Sequence, residues 1–89
     1  MLESAIQAKI IKWLKTRPNS VTYKHLPYPS GIPDIVHYEN TKVYFFEVKR
    51  TVKDKPRPIQ KYRMGQLKKA GIFTKVVRSL EEVKQVFKV

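Results

Sequence analysis

The chain has 89 residues, with 19 Lys and Arg against 7 Asp and Glu, so its net charge is +12 and its pI near 10.1. At 42% apolar and 11% aromatic it can build a core, which excludes wholesale disorder; the absence of cysteine excludes a disulfide scaffold, a thiolate metal site and a cysteine nucleophile. One small domain, residues 1–89, is expected, with no membrane partner and a cytoplasmic location, because no apolar run is long enough for a span or a leader.

Taken in chain order, residues 3–16 read as an amphipathic helix. Leu2, Ile6, Ile10, Trp13 and Leu14 share one face, and Pro18 ends it. Residues 20–26, rich in β-branched and aromatic side chains, read as a strand, and residues 27–31, with two prolines and a glycine, as a turn. Residues 33–38 and 43–50 read as strands of a hairpin across Glu39-Asn40-Thr41-Lys42, although no glycine marks the turn.

Residues 51–58 form a basic, proline-broken loop. Pro58 is placed to open a second helix over 59–70, with Gly71 ending it. Gly65 inside that helix is unfavourable by about 1 kcal/mol relative to alanine and is expected to mark close packing. Residues 72–78 read as a fourth strand. Ser79 and Glu82 form a capping box before a last helix carrying Leu80, Val83, Val86 and Phe87. The order α-β-β-β-α-β-α defines an α/β fold.

The seven acids are few enough for their positions to be informative. Glu3 lies seven residues before Ile10, hence on the apolar stripe of the first helix, with Gln7 one turn later. Either Glu3 favours the helix's positive end, or it faces inward and needs a partner. If the turn centres on Asn40-Thr41, Asp34 falls directly opposite Glu47, with Val36 opposite Phe45 and Tyr38 opposite Val43 on the same face. Two carboxylates so placed repel, and a hard divalent cation, Mg²⁺ or Mn²⁺, removes the penalty.

Lys49 shares that face by alternation and is suited to neutralising charge on a phosphate or handling a water. Gln60 lies on the inward face of its helix, either supporting this site or capping the preceding loop. His37 points to the opposite face, and it and His25 are expected to be structural or solvated. Lys53, Lys55, Arg57, Lys61 and Arg63 are candidate phosphate contacts, and Tyr28 a candidate for stacking on a base.

Gly31-Ile32-Pro33-Asp34, Glu47-Val48-Lys49 and Gln60 together resemble the signature of the PD-(D/E)xK nuclease superfamily, and in particular its virus-type replication-repair (VRR-NUC) family. Glu3 and Gln7 resemble that family's leading Glu and Gln, so the likeness runs over nearly the whole chain. It implies a restriction-endonuclease-like core with a central mixed sheet flanked by helices. It also implies metal-dependent hydrolysis of phosphodiester bonds, with Asp34, Glu47 and the Val48 carbonyl as metal ligands and Glu3 acting through a second metal or a water. Lys49 would be the catalytic lysine and Gln60 a site organiser. Small free-standing members resemble phage proteins that act as homodimers on branched DNA such as Holliday junctions. The alternatives are a non-catalytic basic nucleic-acid-binding module, or a nuclease of the same fold acting on flaps, nicks or linear DNA.

Overall fold

The computed structural model describes residues 2–25 and 30–88, and Tyr28 lies outside them. Its centre is a hairpin of β2 (Ile35–Glu39) and β3 (Lys42–Val48), paired antiparallel from Ile35↔Phe46 to Glu39↔Lys42. Asn40 (φ 49°) and Thr41 (φ 69°) make the two-residue turn. Positive φ at both positions is the turn geometry that matches the twist of the flanking strands. A β-branched residue there is strained, so the apolar register sets the turn rather than the reverse.

β1 (Ser20–Lys24) pairs antiparallel with β2, and β4 (Phe73–Val77) pairs parallel with β3, giving the order β1-β2-β3-β4. A parallel neighbour requires a crossover. Helix α2 (Pro58–Lys69) supplies it. Alternation along the strands then produces two unlike faces. On one, Ile35, Phe46, Val48 and Val77 pack with Ile6, Ile10 and Leu14 of α1 (Glu3–Leu14) and Val83 of α3 (Leu80–Val86). Phe46 is fully buried there, and truncation of such a ring to alanine typically costs about 3–5 kcal/mol. The other face carries Val36, Phe45 and Glu47 and receives α2, whose Gln60 and Met64 are buried.

The element order and the mixed sheet agree with the sequence reading; the differences are local. Leu2 is 68% exposed rather than on the buried stripe, because it stands before the first helical turn as the N-cap. β2 begins at Ile35 and β3 ends at Val48, which leaves Asp34 and Lys49 just beyond the strand ends. Gly65 does not mark close packing, since a Cβ built on it meets nothing within 4 Å. Gly71 does end α2: at φ +80° it allows its N–H to reach Lys68 O and that of Ile72 to reach Leu67 O. Ser79 Oγ accepts the Glu82 N–H, whereas the Glu82 carboxylate takes the N–H of Arg78 instead of Ser79.

Candidate functional site

Asp34 continues the β1–β2 ladder by accepting the His25 N–H on its carbonyl at 2.7 Å, and its Oδ2 accepts the Val48 N–H at 3.0 Å. Those bonds fix the Asp34 carboxylate against the end of β3. The observed register, continued by one residue, sets Asp34 opposite Glu47 as the sequence pattern required.

Glu47 is 1% exposed, and its two oxygens fare differently. Oε2 receives the Gln60 side-chain amide at 2.9 Å and lies 3.3 Å from the Lys49 ammonium. Oε1 is buried and finds no partner among the described residues. Burial first, and the Asp34 charge second, push the Glu47 carboxyl up to about 7, against the opposing pull of Lys49. Glu3, half-buried at the start of α1, adds a smaller upward push.

Gln60 makes two side-chain hydrogen bonds. Its amide oxygen accepts the Arg57 N–H at 2.8 Å, closing the first turn of α2, while its NH₂ group holds Glu47. Arg57 itself has only donors on its side chain and so cannot cap the helix.

Gly31 (φ +86°) sets the approach of the 31–34 segment. A Cβ there would stand 2.7 Å from Ile59 Cγ1 and 2.8 Å from Ile59 O. Only glycine lets this segment pass so close to the residue preceding Gln60.

Among the described residues no group of three His, Cys, Asp or Glu side chains is placed to hold a metal. What the site offers is two carboxylates, with Glu3 further out. A divalent cation nonetheless fits them. An orphaned buried carboxylate oxygen, a second carboxylate opposite it and a proton affinity raised partly by that neighbour are all deficits that one hard cation would correct.

Glu3 and Lys49 also line a cleft of about 450 Å³ with Arg50, Lys53, Asp54 and Lys55. Lys53 and Lys55 are therefore brought to the site. Lys61 is exposed on α2, and Arg57 is exposed at its start. Arg63 is partly committed to structure, with its guanidinium donating to Ser30 O and Gln66 Oε1, both at 3.3 Å. Arg50 was not singled out from sequence. Its one signal was its position directly after Lys49 in a basic stretch. His37 is fully buried and bonded on both ring nitrogens, to Thr22 Oγ1 and Glu39 Oε1, a structural placement.

This arrangement sits on a fold already seen in solved structures. One described as "VRR_NUC domain" superposes with a TM-score of 0.82 at 24% identity, covering 96% of this chain and 92% of its own. A second, "VRR_NUC domain protein", gives 0.76 at 20% identity over 98% and 85%. The chain thus has the restriction-endonuclease-like fold of VRR_NUC domains. No family model and no curated protein matches the sequence.

Proposed function

We propose that the chain is a nuclease of the VRR-NUC type, hydrolysing phosphodiester bonds in branched DNA with the help of Mg²⁺ or Mn²⁺. The observation that carries this reading is the Glu47 carboxylate, buried in a protein of net charge +12 with one oxygen unpartnered among the described residues and Asp34 opposite it. A binding module gains nothing from a carboxyl so poorly served. Asp34, Glu47 and the Val48 carbonyl would hold the ion, which supplies Lewis acidity to a phosphate oxygen and lowers the pKa of a bound water.

The chain's own groups do the rest. The Lys49 ammonium, held 3.3 Å from Glu47, offsets the negative charge that builds on the phosphorus oxygens as water attacks, and steers that water. Gln60 keeps the Glu47 carboxylate in place through its NH₂ group. Lys53 and Lys55 attract the phosphate backbone without reading sequence. Glu3, at the cleft edge, is suited to a second ion or a water. Arg57, Lys61 and Arg63 would extend the backbone contacts, and Tyr28 would stack on a base.

A four-way junction presents two symmetric strands, so paired incisions are most simply made by a homodimer. Wild-type protein should cut a four-way junction in Mn²⁺ or Mg²⁺ and not in chelator. Asp34→Ala and Lys49→Ala should lower the rate at least about 10³-fold while leaving junction binding in chelator nearly unchanged. Absence of cleavage on junction, flap, duplex and single strand alike would leave only a basic DNA binder. Equal rates on junction and linear duplex would remove the branched substrate.

A further inference from the structure

Beside the cleft lined by Glu3 and Lys49 lies a second cavity, of about 600 Å³, and Arg50 lines both. Ile6 of α1 and Leu80 of α3 give it apolar lining, and its cations are Lys9, Arg50 and Arg78. The hairpin end explains the arrangement. Lys49 stays on the Glu47 side of β3, while Arg50, one residue on, is exposed towards α1 and α3.

Arg78 directly follows β4, and its guanidinium is already engaged: Nε donates to Thr51 O at 2.8 Å and Nη2 to Asp54 O at 3.3 Å. The wall made by residues 50–54 is therefore braced against the end of β4. Among the described residues Lys9 and Arg50 have no such engagement, and both are exposed, so their charge is available to a ligand. Among the described residues Glu81 is the one acid on the lining.

Apolar lining from Ile6 and Leu80 beside two exposed cations suits one nucleotide, its base on Ile6 and Leu80 and its phosphate between Lys9 and Arg50. A base stacked within a duplex cannot enter a concavity; an unpaired one can. We infer that this cavity receives an unpaired nucleotide of the DNA strand whose neighbouring phosphate lies in the cleft lined by Glu3 and Lys49. The inference rests on the nuclease reading and gives it a physical source of preference for branched or frayed DNA over continuous duplex.

Binding measured in chelator separates the two claims. Fluorescence anisotropy would compare a duplex carrying one unpaired nucleotide with a fully paired duplex of the same length. The paired Lys9→Ala and Arg50→Ala substitution should weaken the first about tenfold or more and the second no more than about threefold. Glu81→Gln, which removes the lining acid, should strengthen the first selectively, and Lys61→Ala on α2 should weaken both equally. If Lys9, Arg50 and Glu81 substitutions shift both DNAs by the same factor, the cavity is ordinary basic surface and the inference is overturned, even where wild-type protein cleaves in Mn²⁺. Selective binding by wild-type protein that cuts nothing would instead overturn the nuclease reading and keep the cavity's occupant.

Discussion

The two faces of the sheet each carry a buried glutamate, and the two are treated in opposite ways. Glu39 has everything a carboxylate needs: Arg17 grips both oxygens, at 2.7 and 2.9 Å, and His37 Nε2 lies 2.8 Å from Oε1. Arg17 in turn stacks over Phe87, 4.2 Å from the ring centre. The Arg17 hydrogen bonds hold the Glu39 carboxyl below its ordinary value. Glu47, eight positions along the hairpin, has one oxygen served and one orphaned, an acid opposite it, and a carboxyl raised to about 7. Both lie in a fold that can satisfy a buried acid when nothing else is asked of it. The deficit at Glu47 therefore belongs to that position and not to the fold as a whole.

The largest way to break this contrast is to remove each acid in turn. Glu39→Ala strands Arg17 and His37, and should cost about 2 kcal/mol, discounted because the Arg17 side chain is 25% exposed. Glu47→Gln should do the reverse without metal. The Glu47 carboxyl, raised above its unfolded value of 4.5, weighs against the fold once ionised. Wild-type stability from this group is thus intact below about 4.5 and is lost as pH rises to about 7, by up to about 3 kcal/mol. Urea unfolding of wild type and Glu47→Gln from pH 5 to 8 in chelator should show the variant's advantage growing over that window. Glu39 has the opposite sign, its stabilisation being present above its ordinary value and lost in acid.

A smaller effect probes the scaffold of the unsatisfied side. Gly31→Ala forces a Cβ into Ile59 at positive φ and should cost about 2 kcal/mol, with loss of cleavage exceeding the loss of folded protein, because Ile59 adjoins Gln60. The smallest is a gain. Gly65→Ala has open space around it and should add up to about 1 kcal/mol in urea melts, without touching either acid.

The sheet and the Asp34–Glu47 pairing were legible because strand alternation has period two. Once the turn was centred on Asn40-Thr41, every partner followed, even though neither turn residue is glycine. Gln60 was legible as inward-facing, since helical phase gives a direction; that it holds Glu47 rather than Lys49 depends on how α2 crosses the sheet. The Arg17–Glu39–His37 group was illegible for the same reason, as Arg17 lies 22 residues from Glu39 in a loop with no periodicity. Gly65 was misread because composition records an unfavourable residue and cannot say whether space surrounds it.

The claim that Glu47 and Asp34 await a divalent cation is tested most directly by thermal unfolding at pH 8 with increasing Mn²⁺, on wild type and Glu47→Gln side by side. Wild-type Tm should climb by at least about 5 °C as the ion binds the native state alone, and the variant's should stay nearly flat. A wild-type Tm indifferent to Mn²⁺ and Mg²⁺, or an equal rise in both proteins, would contradict the account.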